Sequence, residues 1–136
     1  MPEPVLVPVV FRKADSGIDV LLRQTGDGPV HFPTFLPDPG ADPIGAARQA
    51  IAPLITMIRP GQPERLGLLP IGDPEVWDVV LIPLTPKSKA TLTDGEGMLW
   101  QPLTAETDGW AAPSRSLHEV LQGCASDLER LSLIEA

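Results

Sequence analysis

The chain has no tyrosine, one cysteine, three phenylalanines and three tryptophans in 136 residues. A single cysteine excludes an intrachain disulfide, so the fold has no covalent staple of its own. With aromatic residues at 4%, the core has to be built from aliphatic side chains. No apolar run reaches the roughly 18 residues of a membrane helix, and no basic segment opens the sequence as it would a secretory signal. A cytoplasmic protein with no membrane partner is therefore expected. Cations are scarce too: three lysines and seven arginines face eighteen carboxylate side chains, for a formal net charge of -8. They are spread along the sequence with no basic cluster, so a DNA or RNA polymer is not an expected partner.

Proline is what the chain has in excess, with 17 residues, a composition that predicts short elements joined by stiff turns. The apolar residues come in runs, which argues against disorder. A length of 136 residues fits one domain, 1–136, that buries about two-thirds of its surface. Val5 to Arg12 and Ile18 to Gln24 read as strands of a hairpin across Ala14-Asp15-Ser16-Gly17. A strand is expected over Arg65 to Ile71 and the most hydrophobic one over Val76 to Leu84, with Gly72-Asp73-Pro74 turning between them. Thr85 to Gly97 reads as a loop and Met98 to Leu103 as a short strand. A terminal helix follows, with Ser116 and Glu119 as a capping box and Leu117, Val120, Leu121, Cys124, Leu128 and Leu131 at helical spacing. Strands mixed with two helices in this order give an α+β class.

Between hairpin and late strands lies the segment His31 to Met57. Asp42 is placed to cap a helix with Pro43 at its first position, and Ala47, Ile51, Leu54 and Ile58 are expected to face inward. Proline inside a helix costs about 3 kcal/mol, so Pro53 predicts that this helix stops near Ala52 or kinks. If it ran on, positions 50, 53 and 54 would share one face.

Laid without a gap, this segment resembles the signature box of the Nudix hydrolases. Pro33 matches the proline before the glycines, Asp38 the acidic residue after them, Gly40 the glycine of the next turn, Ala46-Ala47 the paired alanines and Ile51 the aliphatic anchor. Trp77 to Leu84 and Trp100-Gln101-Pro102-Leu103 resemble later segments of that family. The resemblance implies an α/β/α sandwich with a mixed sheet, a box helix and a C-terminal helix, and homodimers are common in that fold. Where the family has metal-binding glutamates this chain has Ala41, Ala50, Pro53 and Leu54, and Gln49 replaces its arginine. None of those ligands carries over. Alanine and leucine offer no oxygen to a hard cation, and without one a pyrophosphate-cleaving site loses its charge neutralisation and its source of hydroxide.

The expected catalytic set is therefore empty, with no metal and no cofactor. Candidate cleft residues are Arg23, Phe35, Asp38, Arg48, Glu96 and Trp100, with Arg23, Arg48 and Trp100 as anion-binding or stacking groups. Cys124 reads as a buried small hydrophobe, His31 as a strand-end residue, His118 as solvent-facing, Trp77 as core and Trp110 as a loop anchor. Three functions fit. The first is a Nudix-fold protein that binds a nucleotide or related small metabolite without hydrolysing it. The second is a divergent hydrolase of nucleoside diphosphate derivatives that recruits Asp38, Asp94, Glu96 or Glu106 for magnesium or manganese. The third is an interaction scaffold whose cleft is filled by Phe35, Leu54 and Met57.

Overall fold

The run Val76 to Leu84 holds one charge, Asp78, among apolar residues, the pattern of a strand covered on both faces. The computed structural model describes residues 4–15, 17–71 and 75–134. Its elements are β1 (Val5–Ala14), β2 (Gly17–Arg23), α1 (Pro43–Ile51), β3 (Ile55–Ile58), β4 (Glu64–Pro70), β5 (Val76–Leu84), β6 (Lys89–Leu92), β7 (Met98–Pro102), α2 (Ala112–Gly123) and α3 (Ala125–Ser132). Five strands form a mixed sheet in the order β4-β5-β1-β2-β7, and β3 pairs with β6 in a second, two-stranded sheet. β1 and β5 run parallel, from Val5 opposite Trp77 to Arg12 opposite Leu84; the other neighbours in the large sheet are antiparallel. Among the described residues no helix is long and apolar enough to cross a membrane.

Strand alternation divides the core in two. Val7, Val9 and Phe11 of β1 join Val79 and Leu81 of β5 under Leu117, Leu121, Leu128 and Leu131 of α2 and α3. Leu6 and Val10 join Val80 and Ile82 under Ala47 and Ile51 of α1. The result is an α+β sandwich, with helices on both faces of a mixed sheet.

α1 begins as its sequence dictates: the Asp42 carboxylate accepts from the Gly45 N–H at 3.1 Å, with Pro43 in the first turn. It ends at Ile51, one residue after which Ala52-Pro53-Leu54 turn into β3. Positions 53 and 54 therefore do not share a helix face with Ala50. Leu54 is buried, as expected, but Ile58 is not: it sits on the outward side of β3 and is 55% exposed. β3 and β6 lie where the sequence reading had a helix continuation and a loop. Four-residue strands with Thr91 and Lys89 facing Thr56 and Ile58 have too little periodicity to be read alone.

The terminal segment departs further from expectation. The helix starts at Ala112, with Pro113 in its first turn, and Ser116 lies inside it, donating back to the Ala112 carbonyl. The capping box is thus absent, and proline at the start was the stronger signal. At Gly123-Cys124 the helix breaks, and α3 begins afresh at Ala125. Val120, on the outer side of α2, is exposed, and Cys124, at the break, is half-buried rather than fully buried. Trp77 is in the core, and Trp110 anchors its loop against Phe32, edge to face. The hairpin residue Ser16 and the turn Gly72-Asp73-Pro74 lie outside the described residues.

His118 is the clearest reversal. It is 2% exposed, edge-on to Trp110 at 5.0 Å, and its Nε2 has no hydrogen-bond partner. Desolvation lowers its pKa below the ordinary 6.5, against smaller opposing effects of the Leu103 carbonyl and Glu119. The folded state therefore favours the neutral ring. The stability this contributes is complete above pH 6.5 and is lost as pH falls toward the lowered folded value, because the unfolded chain then binds more protons. Urea unfolding at pH 7.5 and at pH 5.5 is expected to show a larger loss of stability on acidification in the wild type than in His118→Leu.

The β6–β7 turn closes on β2 through Gly97, whose φ is 71° and whose carbonyl accepts from the Gln24 N–H at 2.9 Å. A methyl group there would collide with the Gln24 backbone, whereas Gly26 (φ 58°) has open space beside it. Gly97→Ala is expected to cost about 2 kcal/mol or more and Gly26→Ala about 1 kcal/mol, measured by denaturant unfolding.

Candidate groove beside the box helix

Phe35 is joined to Leu6 by two backbone hydrogen bonds, 2.8 and 2.9 Å, which anchors the segment 35–42 along the start of β1. That segment and α1 enclose an open groove of about 460 Å³. Its floor includes Leu6 and Phe35; its helix wall is Gly45, Ala46, Gln49 and Ala50; Asp38, Ala41 and Asp42 close the loop side. Leu36, 82% exposed, stands at the mouth.

Chemically the groove is a weak cation site. Its carboxylates are Asp38 and Asp42, and Asp42 is already bonded to the first turn of α1. A divalent ion needs several converging oxygens, which these residues do not supply. Among the described residues no group of three His, Cys, Asp or Glu side chains lies close enough to hold a metal ion.

Of the residues proposed from sequence, Phe35 and Asp38 line this groove together with Ala41 and Ala50. Leu54 and Met57 belong to the core under α1, so they do not fill it. Pro53 is exposed, and its carbonyl accepts from the Thr93 hydroxyl at 2.9 Å. Arg48 is exposed and lines no part of the groove: one step from Ala47, it points away from the buried side of α1. Arg23 and Glu96 are brought together at the sheet edge, with Nη2 to Oε2 at 2.8 Å and Nε to the Glu96 carbonyl at 2.9 Å. Each thus neutralises the other. Asp94 sits in an exposed turn and Glu106 is exposed in the loop after β7. His31 is a strand-end residue, bridged to Arg23 through the backbone, as expected.

Trp100 packs half-buried on the α1 side of the sheet, and the guanidinium carbon of Arg12 lies 4.0 Å above its ring centre. Arg12 was not singled out from the sequence. The signal was there: it continues the even positions Leu6, Val10, Arg12 of β1, which face α1. Asp78 was missed too. It is 8% exposed on the same face of β5, held by a forked pair of bonds from Arg65 at 2.8 and 3.1 Å. As the one charge in an apolar run, it had to be paired. On the opposite face, burial, then the Asp127 charge, pushes the Cys124 thiol above its usual range, which keeps it a poor nucleophile.

No family model and no curated protein matches the chain. Solved structures do match. The Nudix hydrolase RenU of M. smegmatis superposes with a TM-score of 0.60 at 13% identity, over 96% of this chain and 89% of that one. The NUDIX domain of Shewanella oneidensis NrtR, solved with ADP ribose, gives 0.63 at 16%, over 91% and 90%. A Nudix hydrolase of Listeria monocytogenes gives 0.65 at 12%, over 93% and 97%. Identities this low speak for architecture alone, and with helices on both faces of a mixed sheet and α1 where the box resemblance placed it, this chain has the Nudix fold.

Proposed function

We propose that this protein binds a nucleotide or related small metabolite in the α1 groove and is not a metal-dependent pyrophosphohydrolase. The observation that carries the reading is the composition of the groove: it stays open at about 460 Å³, yet its walls are Ala41, Ala46, Gln49 and Ala50, with Asp38 as the one carboxylate not used as a helix cap. That volume lies within the range of small-molecule sites, about 300–1,000 Å³. Alanine in place of glutamate removes the repulsion that an acidic cleft would exert on phosphates once no metal is present to screen it. Phe35 offers an apolar contact and Gln49 an amide donor and acceptor. The S. oneidensis NrtR domain, solved with ADP ribose, supports a nucleotide-type ligand by analogy. A nucleic-acid polymer is not part of this reading, and a cytoplasmic location and a homodimer remain its natural setting.

The divergent-hydrolase alternative is disfavoured by the placement of its recruits, since Glu96 is paired with Arg23, Asp94 sits in an exposed turn and Glu106 is exposed in the loop after β7, and neither lines the α1 groove.

The test is thermal unfolding with ADP-ribose and other nucleoside diphosphate derivatives, with and without magnesium or manganese. Ligand at 100 times its dissociation constant stabilises by about 2.7 kcal/mol. The expected result is a rise in midpoint that needs no metal, disappears in the groove-filling variant Ala50→Trp and is accompanied by no product. A rise seen only with metal, together with turnover, overturns the proposal in favour of a hydrolase.

A further inference from the structure

The two edges of the large sheet are built differently. β4 carries the features that keep an edge strand from pairing outward: Glu64 and Arg65 are charged, a bulge lies between Arg65 and Gly67, and Pro70 ends the strand. β7, at the other edge, is Met98-Leu99-Trp100-Gln101-Pro102, without a charged side chain and in unbroken register with β2. Which of its backbone groups face outward follows from the bonds at its ends. The Leu103 N–H donates to the Ile18 carbonyl at 2.8 Å and the Gln24 N–H to the Gly97 carbonyl at 2.9 Å, and bonded and non-bonded pairs alternate along an antiparallel ladder. Leu99 and Gln101 therefore bond to β2, whereas Met98 and Trp100 point their N–H and C=O groups away from it. Arg23, opposite Met98, agrees, since its N–H and C=O are both bonded to His31 instead. Pro102 has no N–H, and its carbonyl accepts from the Ala105 N–H at 2.9 Å. Among the described residues no strand lies beyond β7.

We propose that the β7 edge pairs antiparallel with β7 of a second copy of this chain, joining the large sheets of the two copies into one. The hydrogen-bonding pattern of the edge is complementary to itself. With Leu99 opposite the partner's Leu99, Met98 faces the partner's Trp100, Trp100 faces the partner's Met98, and every outward N–H meets a C=O. A two-fold axis at Trp100 would set Met98 against the partner's Pro102, which has no N–H. An axis at Met98 would set Trp100 against the partner's Glu96, whose carbonyl is taken by Arg23. Packing favours the same register: Met98, Leu99 and Trp100 are half-buried, and the pairing brings a thioether beside an indole ring across the strands. The net charge of -8 repels two copies at long range, but the ion pairs nearest this edge, Arg23 with Glu96 and Arg12 with Asp19, are each neutral. The resulting interface is isologous, the commonest kind in soluble oligomers, and it is independent of what the α1 groove binds.

Amide hydrogen exchange of the wild type at low and high protein concentration, with the oligomeric state followed by sedimentation, tests this. A dimer is expected at high concentration. The Leu99 and Gln101 amides are expected to be protected in monomer and dimer alike, because they bond to β2, and the Met98 and Trp100 amides only in the dimer. Met98→Lys, which keeps an apolar stem over the same surface, is expected to raise the dimer dissociation constant about tenfold or more. Leu68→Lys, on the opposite edge, is expected to leave it unchanged. A monomer at every concentration, a dimer in which the Met98 and Trp100 amides exchange freely, or an equal weakening by Leu68→Lys overturns the proposal. Protection of those two amides in the monomer also overturns it, since another segment of the same chain would then cover the edge.

Discussion

The parallel pairing of β1 with β5 is the constraint from which the other placements follow. Eight residues of each strand are in register, and both strands are buried on both faces. Because side chains alternate, one register fixes two cores at once: a slip by one residue would send Val7, Val9 and Phe11 to the α1 side and Leu6 and Val10 to the α2–α3 side. It would also move Asp78 off the face where Arg65 meets it. The same register sets where β1 runs out, past Arg12 opposite Leu84.

Charge decides what each end of the sheet can do. At the start of β1 and β5 the α1 groove has carboxylates but no cluster of them, and its helix wall is alanine and glutamine. At the other end a second groove, between the end of β1 and the segment after β5, is lined by Arg12 and Lys13 together with Asp15. For a protein of net charge -8, the local lining matters more than the total, since at about 10 Å of screening length each groove responds chiefly to its own neighbours.

Buried polar groups mark where the aliphatic core is compromised. Asp78 is satisfied by a forked pair from Arg65, whereas His118 is buried with one nitrogen unpaired. An aromatic-poor sequence places two of its few rings, Phe32 and Trp110, next to that histidine or in contact with each other. This corner ties α2 to the loop after β7, and its pH sensitivity follows from geometry rather than from any nearby acid.

The sequence by itself determined the elements whose signals are local. The hairpin, the α1 cap at Asp42, the stop at Pro53 and the double-faced strand Val76 to Leu84 could be read because each depends on a few consecutive residues or one dominant period. Phe35 and Asp38, two cleft candidates read from the sequence, do line the α1 groove. Only the tertiary structure decided the rest. His118 is buried because Trp110 and the loop after β7 cover it, β3 and β6 exist because each supplies the other's hydrogen bonds, and Arg23 is withdrawn from ligand binding by Glu96, 73 residues away.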